Sequence, residues 1–322
     1  MSVTIRVAVE DDAPAVTAII NDGSSEQSSV EQVRARLSAA RKDIAGKIIT
    51  RLVAMDEAGR VTGYGHALRE KWMEPGLFWT HIAVAPDARR QGIGSALFAA
   101  LREWAIARGA TALRGEARDN LPASYAFAAR CGFQIERHIF ESTLDLRAFD
   151  ETPFTPALAA ARAAGIRFLT LADVGDTLEN RRAVWELERA VGRDISGGSE
   201  AAIIPFETFT ERLYATPRYD QALQFIAADG ATWIGEARGE MPEAADGLYN
   251  GVTGVLPAWR GRGIAQALKL LLIRAAIQRG APYMRTNNDS ENAPMLAINR
   301  KLGYQPEPGY MRMRLELPPV DA

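Results

Sequence analysis

Cysteine is nearly absent from this sequence: Cys131 is the single cysteine in 322 residues. One cysteine forms no disulfide within the chain and cannot build a Cys/His zinc site. We therefore expect no bound metal and a reducing compartment, and we interpret the protein as cytoplasmic.

Long apolar runs and an excess of charge of one sign are also missing. The nearest approach to a membrane span, "ALKLLLIRAAI", is interrupted by Lys269 and Arg274, and the first residues lack the pattern of a signal peptide. The formal net charge is only −2, which gives no general attraction to nucleic acid or to an anionic membrane. We expect neither as a partner, and the sequence does not indicate the oligomeric state.

The composition is that of an ordinary globular protein, with 47% apolar and 24% charged residues. A chain of 322 residues is long for one domain and sufficient for two. The sequence is therefore expected to build a substantial core.

An internal duplication divides the chain. Gly92-Ile93-Gly94 matches Gly263-Ile264-Ala265, 171 residues later. The same offset joins further pairs: Val84 and Val255, Pro86 and Pro257, Arg89 and Arg260, Gly109 and Gly280, and Gly132 and Gly303. Such a long period indicates two copies of a domain of about 150 residues rather than a solenoid. We predict domains at 1–150 and 165–322, joined by a linker at 151–164.

Both copies have the same predicted order of elements. Each begins with a strand, an amphipathic helix and a hairpin, and continues with a strand that ends before a proline. A glycine-rich turn and a helix follow, and then a further strand and helix. The helix after the turn has one apolar face in both copies, formed by Ile93, Leu97, Ala100, Leu101 and Trp104 and by Ile264, Leu268, Leu271, Leu272 and Ala275.

The strand, glycine turn and helix together are typical of an anion site. The first N–H groups of a helix have no acceptor within the helix, and glycines let the backbone approach a bulky anion such as a pyrophosphate. Neither copy has the P-loop pattern, and the third glycine of the dinucleotide fingerprint is missing in both. Both copies instead fit Arg-x-x-Gly-x-Gly/Ala, at residues 89–94 and 260–265.

This hexapeptide resembles the coenzyme A loop of the GNAT acetyltransferase superfamily. The segment "TNNDSENAPMLAINRKLGY" resembles the closing segment of the same family. The resemblance implies an α/β (α+β) fold: two tandem GNAT domains, each with a mixed, mostly antiparallel central sheet flanked by helices. It also implies acetyl-CoA as co-substrate, bound by Val84, Arg89, Arg90, Gln91, Gly92, Gly94 and Ser95 in the first copy and by Val255, Arg260, Gly261, Arg262, Gly263, Ala265, Gln266 and Asn292 in the second.

The implied reaction is direct attack of an amine on the thioester. The amine needs a general base, and alignment of "YGHA" with "IGEA" makes His66 and Glu236 equivalent candidates, with His81 as a further one. A solvent-facing strand residue is the alternative interpretation of each. The oxyanion needs an N–H donor, expected on the strand that ends near Val84 or Val255.

The family's usual acid is a tyrosine four residues before the terminal Gly-Phe/Tyr. Those positions are Ala128 and Asn299 here, so the acid is unassigned. Because the second copy keeps Asn292, we predict that the C-terminal domain is the catalyst.

Two functions follow from these residues. The first is an acetyl-CoA-dependent N-acetyltransferase that acts on a primary amine of a small molecule, such as the amine precursor of a low-molecular-weight thiol. The second is a non-catalytic protein that senses coenzyme A or binds a partner through degenerate sites. The missing tyrosine in both copies favours the second, and thiol release with a panel of amines distinguishes the two.

Overall fold

The computed structural model describes residues 3–22, 27–39, 47–192, 204–241 and 247–318. Its chain divides into two compact units. Unit 1 comprises Met1–Arg137 with Tyr310–Ala322, and unit 2 comprises His138–Gly309.

Both halves of the chain share one succession of main elements: a first strand, helices, three strands, a long helix, a strand, a shorter helix and a last strand. The strands are β1 (Thr4–Val7), β2 (Lys47–Met55), β3 (Val61–Glu70), β4 (Leu77–Val84), β5 (Ala112–Arg118), β6 (Gln134–Asp145), β7 (Arg167–Thr170), β8 (Tyr219–Asp229), β9 (Thr232–Glu240), β10 (Leu248–Val255), β11 (Tyr283–Asp289), β12 (Gln305–Pro306) and β13 (Tyr310–Glu316). The helices are α1 (Ala13–Asn21), α2 (Val30–Ala39), α3 (Ile93–Ile106), α4 (Pro122–Arg130), α5 (Thr155–Ala163), α6 (Leu171–Val174), α7 (Leu178–Gly192), α8 (Phe206–Tyr214), α9 (Ile264–Gln278) and α10 (Ala293–Leu302).

Each unit is built on a mixed, mostly antiparallel sheet, as predicted. The strand order in unit 1 is β1-β2-β3-β4-β5-β13, and in unit 2 it is β7-β8-β9-β10-β11-β6, with β12 beside β6. Between these neighbours only β4–β5 and β10–β11 are parallel. The two parallel pairs occupy the same place in their sheets, which confirms that the duplication is structural.

The last strand of each sheet comes from the other half of the sequence. β13, at the end of the chain, pairs with β5, and β6 pairs with β11 from Tyr283↔Asp145 to Asp289↔Ile139. The compact units therefore differ from the predicted domains 1–150 and 165–322, because the two copies exchange their terminal strands. The sequence analysis did not predict a strand after "RCGF" or "KLGY".

The predicted linker, 151–164, contains helix α5, which packs into the core of unit 2. Phe154, Leu158 and Ala161 are buried together with residues of α9. Arg274 of α9 donates two hydrogen bonds to the carboxylate of Glu151, at 2.7 and 3.1 Å. This segment is therefore part of the second unit, since its apolar face is buried there.

The long helix of each unit packs on its sheet through the predicted apolar face. Leu97 and Leu101 of α3 are fully buried. A Cβ added at Gly65 of β3 would lie 2.8 Å from Leu101 Cδ1, and one at Gly239 of β9 would lie 2.8 Å from Leu272 Cδ1. Small residues on the third strand thus let the helix approach the sheet closely, which positions the helix N-terminus beside the end of the fourth strand.

No helix among the described residues is long and apolar enough to cross a membrane.

Candidate active site

Each unit has a notch where its two parallel strands separate. β4 and β5 pair from Leu77↔Ala112 to Trp79↔Arg114, and β10 and β11 pair from Leu248↔Met284 to Asn250↔Thr286. Beyond those three pairs the fourth strand continues to Val84 or Val255 without the fifth strand beside it. Backbone groups on that side of the strand are therefore not used in the parallel ladder.

A tight loop connects the end of the fourth strand to the helix. A short 3-10 turn, Pro86–Ala88 or Pro257–Trp259, comes first. Gly92 and Gly263 then form the helix N-caps in the left-handed region, with φ of 84° and 74°. No side-chain oxygen caps either helix at this position, so the first backbone N–H groups point toward the loop, as an anion site requires.

The loop has a second left-handed residue two positions before the N-cap. It is Gly261 in unit 2, with φ of 75°, and Arg90 in unit 1, with φ of 65°. Closely spaced left-handed residues turn consecutive N–H groups toward one concavity, which is a common anion-binding geometry. Unit 1 adopts the same loop with a side chain where unit 2 has none.

The predicted loop arginines have different roles. Arg89 and Arg260 each donate Nε to the carbonyl of the last strand residue, Val84 at 3.1 Å and Val255 at 3.0 Å, and so they close the turn. Arg262 is exposed and stacks on the Trp259 ring at 4.6 Å from Cζ to the centroid.

The remaining predicted loop residues lie around the same turn. Arg90, Gln91 and Ser95 are exposed, and Gln91 Nε2 donates to the carbonyl of Asp87 at 3.2 Å. Gly94 lies against α4, since a Cβ there would come within 3.3 Å of the Phe127 ring. At the corresponding position of unit 2 is Ala265, followed by Gln266, and both are partly buried.

Asn292 lies at the start of α10. Its Oδ1 accepts a hydrogen bond from the backbone N–H of Met295 at 3.2 Å, which is an N-cap interaction. The prediction that this asparagine opens a helix is confirmed. Its predicted contact with coenzyme A stays a prediction.

Glu236 lies on β9 in a fully buried polar cluster. Gln224 Nε2 of β8 donates to Glu236 Oε2 at 2.8 Å, whereas Glu236 Oε1 has no hydrogen-bond partner in the part of the chain that the structure describes. Burial, followed by repulsion from Glu188, raises the pKa of Glu236 to about 8, although Arg238 and the Gln224 hydrogen bond act in the opposite direction. A carboxyl with this pKa is mostly protonated at pH 7, and its ionised form, the form that a general base requires, becomes the major one above pH 8.

Arg238 is the cation of this cluster. Its Nη1 donates to Glu188 Oε2 of α7 at 2.7 Å, and its Nε lies 3.6 Å from Glu240 Oε1. Burial lowers the pKa of Arg238, but the carboxylates of Glu188, Glu236 and Glu240 raise it by more than burial lowers it. The pKa of Arg238 therefore lies above its ordinary value. Two tyrosine rings, Tyr214 and Tyr219, lie 4.7 Å apart on α8 and β8, and their buried hydroxyls have no hydrogen-bond partner within the described ranges.

His66 lies on β3 of unit 1 and stacks on His81 of β4 with 5.5 Å between ring centroids. Burial, followed by repulsion from His81, lowers the pKa of His66 to about 3. The imidazole is therefore neutral at pH 7 but a weak base.

The predicted equivalence of His66 and Glu236 is wrong. Gly63 pairs with Val84 and Gly235 pairs with Val255, so the third strands align with an offset of one more residue than the loops. In that register Tyr64 corresponds to Glu236, and His66 corresponds to Arg238. The short sequences "YGHA" and "IGEA" share the pattern Gly-x-Ala, and matching that pattern places the third strands in the wrong register.

Only the fourth strand of unit 2 has a bulge in its described pairing with the third strand. β10 pairs as Val252↔Arg238 and Asn250↔Gly239, so Gly251 is an extra residue. In unit 1, β3 and β4 pair without interruption from Gly63↔Val84 to Leu68↔Trp79. A bulge leaves its extra residue outside the regular ladder. The sequence analysis missed it, although a glycine inside the strand pattern "LYNGVTGV" is a known signal for one.

Asn299 occupies the position of the family's tyrosine and is buried. Its Nδ2 donates to Asn288 Oδ1 of β11 at 2.6 Å, and Asn288 Nδ2 donates to Ser142 Oγ at 2.8 Å. In unit 1 the position is Ala128. Neither side chain can donate a proton to a thiolate, so neither of these two positions supplies the family's usual acid.

Comparison with known proteins agrees with this geometry. The model of the acetyltransferase (GNAT) family matches residues 16–133 and 198–304, one match in each sequence copy. The chain is 30% identical over 244 residues to a mycothiol acetyltransferase from Thermobifida fusca (strain YX), which covers 70% of each protein. It is 26% identical over 271 residues to a mycothiol acetyltransferase from Mycolicibacterium smegmatis, covering 81% of this chain and 82% of that protein.

Solved structures share the architecture over nearly the whole chain. A GCN5-related N-acetyltransferase from Sphaerobacter thermophilus superposes with a TM-score of 0.71 at 21% identity, covering 99% of this chain and 98% of the other. A tandem GNAT protein from the clavulanic acid biosynthesis pathway superposes with a TM-score of 0.69 at 20% identity, covering 99% and 100%.

The chain therefore belongs to the acetyltransferase (GNAT) family. It is a tandem member with two domains of that fold, and the prediction that it is an acetyltransferase enzyme is confirmed.

Proposed function

We propose that the protein transfers an acetyl group from acetyl-CoA to a primary amine of a small molecule, and that unit 2 carries out the reaction. The observation that supports this division is the bulge at Gly251, which unit 1 lacks in the same strand. Unit 2 also has the buried carboxylate Glu236 on the neighbouring strand β9, where it pairs with Gly254. Both features belong to the chemistry rather than to cofactor binding.

The loops support acetyl-CoA as co-substrate in both units. The left-handed residues and the uncapped helix N-terminus fit a pyrophosphate, and the exposed guanidinium groups of Arg90 and Arg262 add positive charge. We propose that Gly92, Gly94 and Ser95 approach it in unit 1, and that Gly263, Ala265 and Gln266 do so in unit 2. Val84 and Val255 then flank the thioester arm in the notch.

Two groups of unit 2 support the transfer step. Gly251 is the extra residue of the bulge, and a bulge leaves its extra residue outside the regular ladder, so its backbone N–H is the group we propose to stabilise the oxyanion that develops on the thioester carbonyl. The ionised form of Glu236 is suited to take the proton of the attacking amine, because Oε1 has no hydrogen-bond partner among the described residues and the pKa of about 8 makes the carboxylate a stronger base than an ordinary one. The C–N bond forms as the C–S bond breaks, and the thiolate leaves into water because Asn299 offers no acid.

The acceptor is proposed to be a polar amine. Three further buried polar atoms of unit 2 have no hydrogen-bond partner among the described residues: Gln224 Oε1, Tyr214 OH and Tyr219 OH. Gln224 is the residue that donates to Glu236. A ligand rich in N–H and O–H groups satisfies such atoms, whereas an apolar amine leaves them unpaired. Because curated relatives are named mycothiol acetyltransferases, the amine precursor of mycothiol is the first acceptor to assay.

Unit 1 has the loop without the bulge, and its strand residue at the position of Glu236 is Tyr64. We propose that unit 1 binds acetyl-CoA without transferring its acetyl group.

The test uses matched glycine variants of the two loops. Gly92→Val and Gly263→Val each force a β-branched side chain into a left-handed backbone, at a cost of about 1–2 kcal/mol. Each is therefore expected to abolish one acetyl-CoA site. Calorimetry should show two sites in the wild type and one in each variant, and thiol release with the amine panel should be lost only in Gly263→Val.

Three outcomes would contradict the proposal. Unchanged acetyl-CoA binding in both variants would exclude the loops as the pyrophosphate site. Loss of activity in Gly92→Val alone would assign catalysis to unit 1. Acetyl-CoA binding without thiol release for any amine would support the non-catalytic alternative. Thermal melting of each variant controls for loss of fold.

A further inference from the structure

A buried lysine lies at the apex of the unit 2 notch. Lys269 of α9 is 2% exposed, and its Nζ donates to Asn250 Oδ1 at 2.7 Å. The same Nζ lies 5.0 Å from the centroid of the buried Tyr304 ring. A buried ammonium is costly unless it is paired, and no carboxylate is recorded within salt-bridge distance of it among the described residues. The free-energy cost of burying this ammonium therefore suggests that Lys269 has a role beyond packing.

Asn250 connects this lysine to the bulge. It is the last β10 residue that pairs with β11 and the first residue before Gly251. Asn250 Nδ2 donates to the carbonyl of Val252 at 2.8 Å and to that of Arg238 at 3.0 Å. One side-chain amide thus spans the extra residue and satisfies carbonyls on both strands at the point where the ladder is interrupted.

The ammonium determines which way the amide of Asn250 points. A lysine ammonium has donors only, so the oxygen of Asn250 must face Lys269 and the NH₂ group must face the two carbonyls. Thr253 Oγ1 adds a second donor to Asn250 Oδ1 at 3.1 Å. Without the lysine, the stronger and charge-assisted of these two contacts is lost.

Unit 1 lacks all three parts of this arrangement. Phe98 is the residue 171 positions before Lys269, and its ring contacts Phe133, the counterpart of Tyr304, with 5.8 Å between centroids. Thr80 pairs with Ala67 where Asn250 pairs with Gly239, and β4 has no bulge in its described pairing with β3. An apolar side chain thus fills the same place in the fold where no bulge has to be maintained.

We propose that Lys269 is a positioning residue for acetyl transfer: through Asn250 it maintains the β10 bulge, whose backbone faces the thioester. This inference rests on the proposed catalytic role of unit 2. Burial lowers the pKa of Lys269 to about 7, so a fraction of the chains is protonated at neutral pH, and the bond to Asn250 oxygen favours that fraction.

A double-mutant cycle tests the coupling. Lys269→Met, Asn250→Ala and the double variant are prepared in the full chain, with Phe98→Met as the matched control in unit 1. Loss of an oxyanion donor lowers kcat by about 10²–10³-fold, so partial displacement of the bulge is expected to lower kcat about 10- to 100-fold. The KM for acetyl-CoA should change less than about 3-fold because the loop at 255–265 is intact.

The effects of the Lys269 and Asn250 substitutions on kcat should be coupled. The double variant is then expected to be no slower than the slower single variant, since coupled residues give non-additive effects. If the two losses multiply, or if they appear in KM with kcat unchanged, Lys269 does not act through Asn250. Phe98→Met should retain the wild-type kcat.

Hydrogen exchange gives a readout that does not need turnover. In Lys269→Met the amides of 248–255 should exchange at least about 10-fold faster, with 232–236 unchanged and with no change in Phe98→Met. Unchanged exchange at 248–255 overturns the inference. If the wild type acetylates no amine, the proposed function fails, and exchange at 248–255 alone decides whether Lys269 maintains the bulge.

Discussion

Replacing Glu236 with glutamine separates the charge of the buried carboxylate from its shape. The amide is nearly isosteric, and its oxygen can still accept the hydrogen bond that Gln224 Nε2 donates at 2.8 Å in the wild type. What is lost is the ionisation. The variant therefore tests whether the raised pKa of Glu236 controls both stability and the proposed proton transfer.

The effect on stability follows from the position of the pKa. Glu236 ionises at pH about 8 in the folded chain, against an ordinary value of 4.5. The folded chain thus binds this proton more tightly than the unfolded chain, so the free energy of unfolding falls as the pH rises from about 4.5 to about 8. At 1.36 kcal/mol for each pKa unit, the loss above pH 8 is at most about 5 kcal/mol. Glu236→Gln removes this loss and should be more stable than the wild type at pH 9 and similar at pH 4.5.

The effect on activity has the opposite sign. A general base must be ionised, so wild-type kcat/KM is expected to rise with pH through an apparent pKa near 8. Glu236→Gln should lose this rise in kcat/KM together with most of the activity. Denaturant titration at several pH values and thiol release over the same range measure the two effects. Because the acceptor amine also titrates, the readout is the difference between the wild type and the variant.

A neighbouring carboxylate provides the control. Glu240 lies four residues after Glu236 on the same face of β9 and is only partly buried. In Glu240→Gln, kcat/KM should still rise with pH as it does in the wild type. If kcat/KM of Glu236→Gln still rises with pH as in the wild type, Glu236 is excluded as the base. A stability difference between Glu236→Gln and the wild type that does not vary with pH would show that the carboxyl is not shifted by burial.

Two further predictions concern charge burial and strand exchange. Arg238→Met should lower the free energy of unfolding by about 3–5 kcal/mol, because it leaves Glu188 buried without its partner. Arg279→Met breaks the more exposed pair with Asp220 and should lower the free energy of unfolding by no more than about 1 kcal/mol. Equal losses for the two variants in denaturant titrations would contradict this. Residues 1–150 and 151–322 produced separately should show no cooperative thermal unfolding, whereas co-expression should restore it, because each sheet takes its last strand from the other half. A cooperative transition for 1–150 alone would mean that β6 folds back onto β5.

Local patterns in the sequence are sufficient to predict the glycine loops before α3 and α9. Arg-x-x-Gly-x-Gly/Ala depends on residues that are neighbours in the chain, and the structure shows the predicted turn and helix start at Gly92 and Gly263. The apolar face of α3 and α9 was predictable for the same reason, since helical periodicity places residues three and four apart on one side. The duplication, the fold class and the family follow from these features occurring twice in order.

The residues that we propose for catalysis are only partly predictable from the sequence. Glu236 was identified as a candidate, but its equivalence with His66 was wrong because one residue of register decides which side chains share a position. Lys269 was treated only as an interruption in an apolar run. Its burial against Asn250 depends on a strand nineteen residues earlier in the chain, and no local pattern contains that contact.

The sequence by itself thus determined the two glycine loops, the helices behind them and the tandem GNAT organisation, because each depends on residues close together in the chain. The tertiary structure alone decided the exchange of β6 and β13, the bulge at Gly251 and the burial of Glu236 and Lys269. These features depend on which distant strand provides the neighbour and in which register, and that choice is made by the packing of the whole unit.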